Sequence, residues 1–391
     1  MGRRPGRLRS PRRRRPREAA RRILNHPRQE ERKLMSKDFL HADKIAEAGV
    51  PGGDRIIEAA RLFRAGMTGA PSAQARLSEA MTTSDFPTLL GQALEIDMLH
   101  TYRDYVPQWQ GIADTTEVAD FRPKTLKDLF GPVDYELVAQ GEEYKATSLS
   151  DTKHEIKVQK YGITLPFTWE MQLNQEWEQL ARIPDRLAKG ARKREDRAVI
   201  EAFVGSTGPR ATFFKGKAAI AAKPLTINNL WEAYKSITQR LNNDGEPVDT
   251  GSLVLVVPKT LEADAQRILN TERIKTTVGD TTTEESNYLR GVFTLKVLDG
   301  LTAVDKSTKA ATTWYVLPGV GTTNPALVKA SLRGYAEPDI RVKNDAGRNV
   351  AGGDIDPTAG SFDRDVITYR GRHVTGATAV YNTAVYASTG A

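Results

Sequence analysis

Cysteine is absent from all 391 residues, which excludes disulfides, thiolate nucleophiles and cysteine-ligated metals. Histidine is scarce too: His26, His41, His100, His154 and His373 show no metal-ligand spacing, and no HExxH motif occurs. No unbroken apolar run is longer than that from Leu253 to Val257, far short of the ~20 residues that cross a bilayer. No apolar stretch follows the basic N-terminus, so no signal peptide is visible. There is no GxSxG elbow and no GxxxxGK(S/T) phosphate loop. Gly319-Val-Gly321 is a bare GxG after a strand and reads as a turn. Asp354-Ile-Asp356, with Asp363 and Asp365 nearby, lacks the glycine and final glutamate of a calcium loop and reads as a Gly/Asp turn. Glu142 and Glu143 are neighbours that would point to opposite faces of a strand, so they make no acid/base pair. These absences leave no cofactor, metal or membrane to assign and argue against an enzyme.

What is present is unevenly distributed. The first 33 residues hold 14 of the 57 basic residues and three of the 49 acidic ones, a net of +11. The other 358 residues carry 43 basic against 46 acidic, a net of −3, so the basic character belongs to a tail at 1–34 and not to the body. Three readings of the tail stay open. Arg12, Arg13, Arg14 and Arg15, between two prolines, suit an arm that neutralises phosphates and releases their counterions. A biased segment is also simply a solvated, disordered terminus. On the third reading it is untranslated: Gln29 to Lys33 is compatible with a purine-rich ribosome-binding site, making Met35 the start. Intact-protein mass decides that question.

The most informative stretch runs from Asp134 to Gly205. Gly141 to Glu155 holds almost nothing for a hydrophobic core, yet Tyr135, Leu137 and Ala139 alternate before it and Ile156 and Val158 at its end. An isolated hairpin is marginal in water, so a charged two-stranded arm makes sense when a neighbouring subunit supports it. Beyond it the apolar phase slips from even positions to Tyr161, Ile163, Leu165 and Phe167, which predicts a β-bulge near Lys160 or Gly162. A long helix follows from Pro184 to Gly205, with Ile183, Leu187, Ala191, Ala198 and Ala202 as its stripe, widened by Val199 and Phe203. Its Arg192–Arg197 run reads as a solvated face.

Elsewhere, short helices are expected over Asp54–Ala65 and Ser72–Leu77, in a 35–81 segment too poor in large apolar residues to be a domain and read as extended and partner-dependent. Phe86 to Met98 has helical spacing, and 109–132 is mixed, with strand signals at Glu117–Arg122. Thr226 can cap a helix carrying Leu230, Ala233, Tyr234, Ile237 and Leu241. Leu253–Val257 reads as a doubly buried strand, Leu261–Leu269 as a helix and 270–291 as a long Thr/Glu-rich loop. Strands are expected at Val292–Leu298, Trp314–Leu317, Ile340–Val342, Val366–Tyr369 and Ala379–Tyr386. The fold class is α+β with largely antiparallel strands.

Thr82 to Pro87, Tyr102-Arg103, Asp120 to Arg122, Gly141 to Tyr144, Tyr161-Gly162 and Ile183 to Asp185, in this order before a long helix, resemble a tailed-bacteriophage major capsid protein. The resemblance covers Met81 to the C-terminus and implies a Hong Kong 97-type capsid fold. It implies an N-arm at 82–131, an extended E-loop hairpin at 132–167 and a peripheral domain with a spine helix at 168–225. An axial domain would occupy 226–325, with peripheral return strands at 326–391. The E-loop would lie over an adjacent subunit, placing Glu142, Glu143, Lys145, Asp151, Lys153 and Glu155 at inter-subunit contacts. Some family members crosslink an E-loop lysine to a neighbour's asparagine; Lys145 and Lys153 would be donors, and Asn344, Asn349 and Asn382 acceptors. The implied function is self-assembly into hexamers and pentamers of an icosahedral virion shell around double-stranded DNA, built in the host bacterial cytoplasm. Scaffold, portal and decoration proteins would be its partners. An encapsulin-type shell around enzymes, or a DNA-binding protein acting through the arginine-rich arm, are the alternatives.

Overall fold

The computed structural model describes residues 53–67, 71–80, 86–130, 150–168, 170–171, 174, 177–241, 245–278, 281–353, 355 and 360–390. The Arg12–Arg15 tail, the Tyr135–Ala139 alternation and the Asp354/Asp356 pair lie outside these residues. The chain divides into two compact units, one from 1–100, 166–184 and 342–368, the other from 101–165, 185–341 and 369–391.

In the first unit, helix α1 (Gly53–Met67) buries Ile56, Ala60 and Phe63 on the expected stripe. Helix α2 (Pro71–Ala80) lies so close that a Cβ on Gly66 would sit 2.4 Å from Leu77 Cδ2. Helix α3 (Phe86–Asp104) buries Leu90, Ala93, Leu94 and Met98, again the expected face, and α4 (Trp177–Ala181) touches α1. The expectation of an extended segment before residue 81 is therefore corrected for 53–80. Small residues let two helices approach closely enough to bury Ile56, Phe63 and Leu77 completely.

The second unit is built on two sheets. Strands β1 (Asp114–Val118), β2 (Lys124–Phe130), β3 (Ser150–Ile156) and β4 (Gln159–Thr168) come first. Helix α5 (Ile183–Phe203) follows and ends in the tight pair β5 (Val204–Gly205) and β6 (Gly208–Pro209). Next come α6 (Ile227–Thr238), β7 (Leu253–Val257), α7 (Glu262–Asn270), β8 (Arg273–Val278), β9 (Thr281–Ser286), β10 (Phe293–Val297) and α8 (Leu301–Val304). The C-terminal part supplies β11 (Trp314–Pro318), β12 (Leu327–Leu332), β13 (Asp339–Val342), β14 (Val366–Ala379) and β15 (Tyr386–Ser388).

One sheet has the order β1-β12-β14-β13, with β4 also on β14; the other runs β10-β7-β11-β15. β1 pairs with β12 and β10 with β7 in parallel, so the sheets are mixed, not largely antiparallel. β7 is buried at every position, and alternation divides its residues. Leu253, Leu255 and Val257 face a core with Leu230 and Ile237 of α6 and Ile268 of α7. Val254 and Val256 face a second core with Val199, Ile200 and Phe203 of α5.

Thr226 caps α6 as expected, its hydroxyl accepting from Asn229 N at 3.2 Å. Thr226→Ala is expected to lower stability by about 1 kcal/mol in urea unfolding. Two further expectations are corrected. The 270–291 loop contains the β8–β9 hairpin, because alternating Thr, Ile and Val favour strands despite their polarity. The separate strands expected at Val366–Tyr369 and Ala379–Tyr386 are instead one long strand, β14, followed by the short β15. β14 runs through Arg370 to His373, and within it Arg372 grips Asp339 at 2.7 and 2.9 Å.

Candidate functional site: a charged hairpin and its buried anchor

β2 and β3 form a two-stranded ladder from Lys124 opposite Ile156 to Phe130 opposite Ser150, so the hairpin is already paired upstream of residue 132. Its root is apolar. Ile156 and Val158 are fully buried with Val118, Val328, Ala330, Leu332, Val374 and Val380, and Leu126 packs against them. The His154 ring meets Tyr381 edge-on at 5.2 Å. On the opposite face Thr125, Lys153 and Glu155 are exposed, two residues apart along β3 as alternation requires.

The arm leaves the sheet at Lys157–Val158, where β3 ends and β4 has not begun; the irregularity expected near Lys160 or Gly162 lies slightly upstream. The chain crosses β14 there so closely that a Cβ on Gly376 would lie 2.1 Å from the Lys157 carbonyl oxygen. Ile163, Leu165, Leu187 and Ala191 then line an apolar groove of about 480 Å³ along α5, together with Arg186 and Arg194.

The Arg192–Arg197 run is not a solvated face. Glu195 is 0% exposed, and five donors converge on it. Its Oε1 accepts from Tyr102 Oη at 2.7 Å and Lys329 Nζ at 2.9 Å, and lies 3.1 Å from His373 Nε2. Its Oε2 accepts from Arg192 Nη1 at 3.0 Å and Trp109 Nε1 at 3.2 Å. A carboxylate only accepts, so His373 Nε2 carries the proton. Burial alone would push the Glu195 carboxyl up; the His373 hydrogen bond, the Lys329 charge and the Tyr102 hydroxyl outweigh it and hold the group well below the usual carboxylate range. Burial first, then the Glu195 charge, pushes the Tyr102 hydroxyl up, so it remains a donor. Arg192 also lies 3.7 Å from the Tyr102 ring centroid, and Asp196 Oδ1 accepts from Trp109 N at 2.9 Å. One carboxylate thus ties α5 to the end of α3, the following loop, β12 and β14. A sequence signal did exist: Leu187, Ala191, Ala198 and Ala202 leave a gap in their stripe that Glu195 fills.

Of the residues expected at inter-subunit contacts, Lys153 and Glu155 share the exposed face of β3, and Asp151 is registered opposite Leu129. Glu142, Glu143 and Lys145 lie outside the described residues. Asn344 and Asn349 are exposed, whereas Asn382 donates its amide to Phe213 O at 3.1 Å. Among the described residues, no cluster of histidine and acidic side chains could hold a metal, and no helix is long and apolar enough to cross a membrane.

The described root of the hairpin thus sets an apolar core on one face against solvent on the other. A family model described as phage capsid protein matches residues 151–388, more than half of the chain. The chain belongs to the phage capsid protein family and has its α+β capsid fold, as the resemblance implied. Among solved structures it is similar to that of Gordonia phage Cozz (18% identity, 72% of this chain and 85% of that one, TM-score 0.43). It is also similar to the mature capsid of bacteriophage PhiM1 (13%, 73% and 87%, 0.42). A third similarity is to the holo-SrpI encapsulin complex from Synechococcus elongatus PCC 7942 (10%, 73% and 88%, 0.43). No curated protein matches the chain.

Proposed function

We propose that copies of this chain assemble as hexamers and pentamers of an icosahedral virion shell around double-stranded DNA, in a purely structural role. Family membership supports the shell; the observation that carries the mechanism is the hairpin, whose root is buried while Lys153 and Glu155 face solvent. The arm at 132–167 reaches over an adjacent copy, Glu142, Glu143 and Lys145 included. On this reading 82–131 is the N-arm, 168–225 and 326–391 form the peripheral domain with α5 as spine, and 226–325 is the axial domain. Arg12–Arg15 touch packaged DNA, and scaffold, portal and decoration proteins join the shell in the host cytoplasm.

Deleting 134–149 tests the reading. The variant is expected to keep the parent's thermal transition, because the deletion leaves the β2–β3 ladder and the Ile156 anchor intact, but to form no closed particles in negative-stain microscopy. Closed particles at the parent's yield would remove the hairpin from the mechanism.

A further inference from the structure

Helix α5 carries charge on two sides. Glu195 and its partners from β12 and β14 fix the buried side, so the helix is held firmly against its sheet. On the other side Arg186, Lys189, Lys193 and Arg197 are all exposed. Steps of three, four and four residues place them within roughly 80° of arc and along about 16 Å of helix axis. Lys189 meets Asp185 at 2.9 Å, and Arg197 meets Glu201 at 2.9 Å. Arg186 and Lys193 make no ion pair among the described residues. Past the end of the helix Arg210 donates its Nε to Glu201 O at 2.7 Å, and with Lys215 it lines a cavity of about 550 Å³, which carries the row of cations onward. The body outside the first 33 residues nets −3, so this row is a local concentration of positive charge and not a reflection of the average.

We propose that this row binds the phosphate backbone of duplex DNA, independently of sequence, and that the face of α5 bearing it turns toward the packaged DNA. Each strand of a duplex carries a phosphate every ~3.4 Å of axis, so fixed cations spread over about 16 Å meet several phosphates at once and release their counterions. Arg and Lys contacts to phosphate position a protein on DNA and read no base. Gly190, the other exposed position between Arg186 and Arg197, has no side chain to hold a duplex away. An acidic polypeptide is the competing occupant. The regular spacing along one rigid rod matches the uniform charge of a duplex better than the irregular charge of a peptide. The inference rests on the shell reading, which brings DNA within reach, and assigns a contact to the folded body in addition to the Arg12–Arg15 tail.

Full-length Arg186→Gln with Lys193→Gln tests this, because it breaks no described ion pair and glutamine is a good helix former. Binding to a short duplex of arbitrary sequence is followed by fluorescence anisotropy between about 50 and 200 mM salt. The slope of log affinity against log salt should become shallower by about 1.8, and affinity at the low-salt end should fall roughly tenfold or more. The tail is common to parent and variant, so it drops out of the difference. Arg267→Gln with Lys309→Gln removes the same charge from exposed positions off α5 and should keep the parent's slope. Arg186→Lys with Lys193→Arg keeps the charge and should bind like the parent. A glutamine variant with the parent's slope overturns the proposal, as does an equal loss in either comparison variant. Weaker binding to polyglutamate with unchanged binding to DNA also overturns it and makes an acidic polypeptide the occupant. All of these are read on the unassembled chain. Failure of the shell reading is separate: a parent that forms no closed particles in microscopy.

Discussion

Glu195→Ala is expected to remove about 3–5 kcal/mol of stability, measured by urea unfolding at pH 7. The substitution leaves Lys329, buried with its ammonium 2.9 Å from the lost oxygen, and Arg192 without their anion. It also strips acceptors from Tyr102 and Trp109. An uncompensated buried charge, not the lost ion-pair energy, is the larger part of that loss. Replacing Glu195 and Lys329 together, as Glu195→Leu with Lys329→Met, should therefore recover part of the stability that Glu195→Ala alone destroys. A loss under about 1 kcal/mol for Glu195→Ala would show that water reaches the site and screens the cations.

The pH dependence has a definite sign. The folded Glu195 carboxyl lies below its ordinary value, so its contribution is present above the unfolded value of about 4.3 and is lost as pH falls through that value toward the folded one. The parent should lose stability more steeply than Glu195→Gln below about pH 5, and the two curves should converge in acid.

Gly376→Ala is expected to cost about 3 kcal/mol and to lower shell yield. The added methyl would lie 2.1 Å from the Lys157 carbonyl oxygen and 3.0 Å from Val158 Cα, both backbone atoms. Neither can retreat, because Ile156 and Val158 on either side are fully buried. The strain falls where the arm is anchored, so assembly should suffer along with folding. Gly190→Ala is the control: nothing lies within 4 Å of a Cβ there, and a helix interior favours alanine by about 1 kcal/mol. Equal losses for both variants in urea unfolding would remove the close crossing as the cause.

Much of this molecule was legible along the chain. The stripes of α1, α3 and α6, the Thr226 cap and the all-apolar β7 follow from helical or two-residue periodicity, which local geometry sets. The return strand of the charged hairpin was legible up to Ile156 and Val158 for the same reason, whereas its partner is Lys124–Phe130, upstream of the expected Tyr135–Ala139 alternation. The β8–β9 hairpin was hidden because its signal is threonine, polar by composition yet strand-forming by shape. The length of β14 was hidden because Arg372 counts as a surface residue until Asp339 faces it.

The sequence by itself determined that this chain carries a charged hairpin followed by a long helix, and that order is enough to resemble a capsid subunit. Periodicity and composition act over a few residues, and those features live at that range. Only the tertiary structure decided that Glu195, inside a run of charges, is buried. Its five partners come from positions as far apart as Tyr102 and His373, and a side chain's burial depends on what the rest of the chain brings to it. The same holds for Gly376, whose lack of a side chain matters only because Lys157 passes across it.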